Sequence, residues 1–281
     1  MKGPCSTEMD DYVANKSNEL KRLLTNSYYE KDFQKFFVEN PSFLPGSRTP
    51  GGNSGHYPLH CALITQPELR GLKTKYPDFM WVATHSAGWF PTLIEIERPS
   101  KKIFKSDGVP TADFTQARNQ LEQWRSWFNK PTNVQMFMDM YQIPDYMRSF
   151  RQMKLHMILI YGRRDEFNYN SNLSFDRLSL SQSDFDLMSF DRVFCDKNMR
   201  DAITVKLNEN NEYEAVHFPE VIKIGPNNCD MYIDIIGVEK AIISNNNISD
   251  ERKQFLINRI PYWKKWLSLK NRGIIYTSDF E

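Results

Sequence analysis

The residues best placed to do chemistry in this sequence are acids. Asp78 follows Pro77, and the triplet Glu95-Ile96-Glu97 ends the next long apolar stretch, PDFMWVATHSAGWFPTLIEIERP. That stretch reads as a hairpin: a strand over 79–85, a turn around Ala87–Gly88 and a second strand over 92–98. Side chains alternate along a strand, so Glu95 and Glu97 share one face while Ile94 and Ile96 share the other. Asp78, at the mouth of the neighbouring strand, can meet them. Carboxylates converging on one point cannot all ionise cheaply without a cation. Mg2+ accepts such oxygens, keeps several waters and leaves room for phosphate oxygens. It lowers the pKa of a water and stabilises the leaving oxygen in phosphodiester hydrolysis. The plainer reading makes E-I-E the solvent face of an amphipathic strand and Asp78 a turn residue.

Other chemistries find less support. Cys5, Cys61, Cys195 and Cys229 are scattered without C-x-x-C spacing, so we read them as reduced, mostly buried thiols of a cytoplasmic protein. His56, His60 and Cys61 follow a Gly/Pro/Asn-rich stretch instead of a periodic helix and lack a second ligand pair, which favours a loop over a zinc site. That stretch has no GK[ST] of a phosphate-binding loop, and THSAGW at 84–89 is not G-x-S-x-G.

The elements that must carry the acids are readable in outline. SYYEKDFQKFFVENP predicts a helix from about Ser27, with Ser27 and Glu30 as a capping box and Pro41 as its stop. Residues 111–128 predict an amphipathic helix with Phe114, Ala117, Leu121, Trp124 and Phe128 as its apolar stripe. A helical segment over 134–152 breaks near Pro144, and 155–161 reads as a buried strand ending at Gly162. Beyond it we expect a polar loop over 165–174, then a short helix over 182–193. Strands follow over 203–207, 213–217, 221–224 and 231–238. A last helix from Ser249 or Asp250 carries Phe255, Leu256, Ile260, Trp263 and Trp266 past Pro261. The chain therefore divides into an N-terminal extension or helix (1–26), an α/β core (27–196) and a smaller C-terminal α+β region (197–281).

Composition sets the outer limits. The 281 residues carry 36 Lys+Arg against 35 Asp+Glu, so any nucleic-acid contact must come from a local basic patch, not a basic coat. The 40% hydrophobic content supports a sizeable core. MKGPCSTEMDDY has no secretory h-region, and runs such as MILIY are too short to span a bilayer.

The spacing PD…E-x-E, with a helical Glu before it and a helical Gln after it, resembles the PD-(D/E)XK nuclease signature. The segments FVENPSFLPG, PDFMW, LIEIERPSKKIF, DFTQARNQLEQWRSWF and MILIYGRRDEF, in order across 27–195, resemble the nuclease domain of the Shedu antiphage defence proteins. The resemblance implies a restriction-endonuclease-like core, a mixed central sheet flanked by helices, and an Mg2+-dependent DNA endonuclease in which Mn2+ can substitute. It makes Asp78 and Glu95 metal ligands, with Glu30 an outer or alternative ligand or a support for one. Gln120 falls on the flanking helix, with Trp124 where the family often has Tyr.

One position departs from the pattern. Glu97 stands where the family has lysine. It could hold a metal or act as a general base, as in nucleases of the superfamily with E-x-E, or the lysine role could pass to Arg98, Lys101 or Lys102. These three, with Lys105, Arg163 and Arg164, are also candidate phosphate contacts. The resemblance further implies a homo-oligomer, a dimer or tetramer, and the short apolar runs argue against membrane attachment. Two rivals follow from the same residues: a catalytically silent module binding DNA or protein, and a structural subunit assembled through Trp263 and Trp266.

Overall fold

Alternating apolar side chains in the middle of the chain build a sheet, and two sets of helices cover its faces. The computed structural model describes residues 4–50, 56–167, 171–232 and 234–268. In chain order the elements are α1 (Met9–Asn26), α2 (Glu30–Glu39), β1 (Ala62–Thr65), β2 (Phe79–His85) and β3 (Gly88–Ile96). Next come α3 (Ala112–Phe128), α4 (Pro131–Met140), α5 (Asp145–Phe150), β4 (Gln152–Met153) and β5 (His156–Ile160). Then follow α6 (Ser171–Ser179), β6 (Phe185–Met188), β7 (Ile203–Leu207), β8 (Tyr213–His217), α7 (Pro226–Met231), β9 (Ile235–Ile236), α8 (Val238–Ser244) and α9 (Asp250–Ser268).

Among the described residues the strands form one mixed sheet in the order β6-β5-β3-β2-β1-β7-β8-β9, with β4 beside β3. β2 and β3 are an antiparallel hairpin in which Phe79 faces Ile94 and His85 faces Gly88. β3, β5 and β6 run parallel, Glu95 lying opposite Leu159. Strand alternation divides the core. Ile94, Ile96, Ile158 and Ile160 pack with Phe33, Phe36 and Phe37 of α2 on one face. Leu93 and Leu159 pack with Phe114, Leu121, Trp124 and Phe128 of α3 on the other. Each such buried side chain contributes about 1.5–3 kcal/mol. The expected apolar stripe of α3 is buried throughout, and Thr111 caps the helix by accepting from the Phe114 N–H at 3.2 Å.

Several expectations are corrected. The first site helix starts at Glu30, not Ser27: Ser27 Oγ accepts from Tyr29 N–H (3.2 Å) and donates to Asp32 (2.5 Å), so no capping box forms with Glu30. The hairpin turn is Ser86–Ala87, and β3 runs from Gly88 to Ile96, which leaves Glu97 just beyond the strand. The segment expected as one broken helix over 134–152 is two helices, α4 and α5, followed by the short β4.

Residues 182–193 contain strand β6 in place of a helix. Phe185 and Leu187 are buried while Asp186 is exposed, a period of two, and the strand pairs in parallel with β5. The helix of this region lies earlier, α6, which begins within the stretch expected as a loop and runs past its end. Val221, Ile222 and Ile224 are buried without forming a strand, between Pro219 and the Gly225-Pro226 step. Residues 231–238 supply only the two-residue β9, because α7 ends at Met231 and α8 starts after Gly237 in a left-handed turn (φ 72°). The 203–207 and 213–217 strands stand where expected. β7 pairs in parallel with β1, Ala62 opposite Ile203, so the sheet runs on across residue 197.

Candidate active site

The acids gather at one corner of the sheet, where β2 begins and the parallel strands β3 and β5 end. Carboxyl ends of parallel strands are the usual place for ligand sites in open α/β sheets. The hairpin register sets Asp78 across from Glu95. Asp78 Oδ2 accepts from the Ile96 backbone N–H at 2.9 Å, which locks the first acid onto the strand that carries the second. Glu95 alternates with Ile94 and Ile96 and so faces α3.

Each helical layer contributes an amide. From α3, Gln120 Nε2 donates to Glu95 Oε1 at 2.6 Å. From α2, Gln34 Nε2 donates to Asp78 Oδ1 at 2.8 Å and to Glu30 Oε1 at 3.3 Å. Glu30 and Gln34 are one helical turn apart, at the edge of the Phe33/Phe36/Phe37 face of the helix. Glu97 departs after the strand and accepts from Lys101 Nζ at 2.6 Å, a half-buried ion pair, while its backbone N–H donates to Ile160 O at 2.9 Å.

The electrostatics follow from crowding. Burial, with Glu30 and Glu97 adding repulsion against the pull of the Ile96 N–H and Gln34, pushes the Asp78 carboxyl up to about 7. Burial, followed by Asp78, Glu97 and Glu30, holds Glu95 well above the ordinary carboxylate range. Glu30 is raised as well, by its own burial and then by Glu97. Glu95 Oε2 is buried and finds no hydrogen-bond partner. A buried, unpartnered carboxylate oxygen costs several kcal/mol if it ionises alone, so this corner favours a bound cation or a bound proton.

Among the described residues no three His, Cys, Asp or Glu side chains stand close enough to enclose a metal ion by themselves. The donor set nevertheless fits Mg2+, which takes one or two carboxylates and completes its shell with waters and phosphate oxygens. Asp78 and Glu95 are the pair of acids that could serve this way.

The structure thus brings together Asp78, Glu95, Glu97, Glu30 and Gln120, with Lys101 from the basic run. Arg98 and Lys102 are exposed on the same loop, and the Arg98 charge reaches Glu30. Lys105 is exposed further along. Arg163 is engaged by Asp191 at 2.9 Å, and the Arg164 backbone N–H donates to the same carboxylate. Trp263 is buried in the core against Trp266 (ring centroids 5.9 Å apart). His60 packs on Tyr213 (4.8 Å) within a short turn. Sequence reasoning missed Gln34. Its signal was the i, i+4 spacing from Glu30 beside three phenylalanines.

A mixed sheet layered by helices, with acids at the carboxyl end of its parallel strands, is consistent with an α/β nuclease-like core. Comparison with protein-family models matches residues 27–194 to "Shedu protein SduA, C-terminal". The match covers more than half of the chain, and the chain belongs to this Shedu family. Membership suggests a role in antiphage defence. Comparison with curated proteins returned no match. Among the described residues no helix is long and apolar enough to cross a membrane.

Proposed function

We propose that this protein is a Mg2+-dependent DNA endonuclease of antiphage defence, with Mn2+ able to substitute. The observation that carries the reading is the crowded pair of half-buried Asp78 and buried Glu95, tied through Ile96 N–H, with Glu95 Oε2 lacking a partner. Asp78 and Glu95 would hold the metal, and Glu30 or Glu97 would supply a further oxygen. When bound, Mg2+ would supply charge that offsets the phosphodiester and eases ionisation of the attacking water.

The chain's own groups divide the remaining work. Gln120 occupies Glu95 Oε1 and thereby leaves Oε2 for the site. Gln34 orients Asp78 and holds Glu30 near it. Glu97 accepts the proton of the attacking water. Lys101, bonded to Glu97, brings the cationic charge that a lysine at position 97 brings in the family pattern. Exposed Arg98 and Lys102 contact DNA phosphates, so recognition depends on backbone charge and DNA shape. We place the protein in the cytoplasm, as a dimer or tetramer. Its cysteines are free thiols, which suits a reducing compartment.

Glu97 motivates a second reading, a module that binds DNA without cutting it. Calorimetric titration with Mn2+ tests the metal site independently of turnover. Binding in the wild type that is lost in Asp78→Asn and in Glu95→Gln is expected; equal binding in all three proteins would remove the site.

A further inference from the structure

A cleft of about 330 Å3 opens beside the acid corner, lined by Tyr28, Ser100, Lys101, Lys102, Arg163 and Glu166 among others. We propose that it is a pocket for one unpaired DNA nucleotide next to the bond to be cut, with Tyr28 as the stacking wall and Lys102 as the phosphate contact. This inference rests on the nuclease reading and adds the substrate feature that the site selects.

The walls are fixed in place. Between α1 and α2 the bonds of Ser27 to Tyr29 N–H and to Asp32 set the turn, and the Tyr28 ring is left 71% exposed. The opposite wall is the loop after β3, where Lys101 N–H donates to Arg98 O at 3.1 Å. Gly162, in a left-handed conformation (φ 64°), lies so close that a Cβ there would stand 2.7 Å from Lys101 O. Glu166 is engaged by the backbone N–H groups of Ile103 and Phe104 at 3.0 and 2.8 Å. Arg163 is held by Asp191 and Lys101 by Glu97.

Lys102 is left as the exposed cation without an acidic partner among the described residues. The lining mixes charges, since Asp165 and Glu166 belong to it. Such a cleft disfavours a free anion and suits a neutral base with its phosphate at the Lys102 end. Lys101 belongs both to the cleft and to the Glu97 pair, so an occupant lies against the acids. A base inside a duplex has both faces covered by its neighbours, and only an unpaired one can offer a face to Tyr28.

The test is fluorescence anisotropy in EDTA on the full chain. It compares a fully paired duplex with the same duplex carrying a short unpaired bulge. The bulged DNA is expected to bind on the order of tenfold tighter, the scale of one base–aromatic stack. Tyr28→Ala should abolish the preference, Tyr28→Phe should keep it, and Lys102→Ala should weaken both complexes. The exposure of Tyr28 makes misfolding of its variants avoidable, and unchanged thermal transitions would verify this. Equal affinities in the wild type, or a preference that survives Tyr28→Ala, would overturn the pocket. Metal-dependent cutting of plain supercoiled DNA, measured alongside, separates the two levels. Cutting without the preference removes the pocket alone; the preference without cutting supports the pocket and removes the nuclease reading.

Discussion

Asp78 and Glu95 were readable as a pair because strand alternation and hairpin register are strict rules, and both residues sit where those rules place them. Gln34 was not, since an i, i+4 polar pair on a helix surface ordinarily signals nothing beyond the helix. The raised Asp78 carboxyl has a consequence for stability. Its folded pKa of about 7 lies well above that of an aspartate in the unfolded chain, so the folded state holds the proton more tightly. Its contribution is favourable at low pH, erodes as pH rises through that window, and is fully lost above it. In the metal-free protein Asp78→Asn is therefore expected to raise the melting temperature at pH 8 by about 2–4 °C, and by less at pH 5. Scanning calorimetry at the two pH values would show this, and an equal loss of stability at both would contradict it. Mg2+ should raise the wild-type transition at pH 8 and leave that of the variant unmoved. The Glu97–Lys101 pair gives a second expectation. Glu97→Gln and Lys101→Ala should each slow DNA cleavage by roughly 100-fold, and the double variant little further, as for groups acting as a unit. An unchanged rate in Lys101→Ala would take the lysine role away from it.

The elements around the site differ in how plainly they announced themselves. Helix α3 carries two signals at once: an N-cap Thr111 and an apolar stripe from Phe114 to Phe128. Thr111→Ala should cost about 1 kcal/mol in denaturant unfolding, with cleavage chemistry retained; no change would mean that the cap is dispensable. Strand β6 is short and edge-placed, and its Phe185–Met188 run suits a helix as well as a strand until its pairing with β5 decides. The 221–224 run reads as a strand because burial, not pairing, explains Val221, Ile222 and Ile224, whereas in 231–238 only Ile235–Ile236 pairs, with β8. Gly162 shows how an element end serves the site. A Cβ there would meet Lys101 O, so Gly162→Ala is expected to shift the Lys101–Lys102 loop and reduce both stability and DNA affinity. Unchanged anisotropy and melting would contradict this.

At the scale of the whole molecule, the sheet passes without interruption from β1 into β7, and one core cluster contains Leu93 and Leu121 as well as Ile203, Tyr213 and Ile260. The run of strand-like segments after residue 197 suggested a division, but pairing across the sheet is a long-range fact that local pattern does not carry. A chain cut after residue 196 should consequently lose its cooperative thermal transition, and one that melts sharply would show that the first part folds alone. The central claim concerns what the intact protein does to DNA. The purified 281-residue protein incubated with supercoiled plasmid in EDTA, Mg2+ or Mn2+, beside Glu95→Gln, addresses it most directly. The account expects nicked or linear product with either metal, none in EDTA, and none from the variant. Intact plasmid in every lane, or equal cutting by wild type and variant, would contradict it.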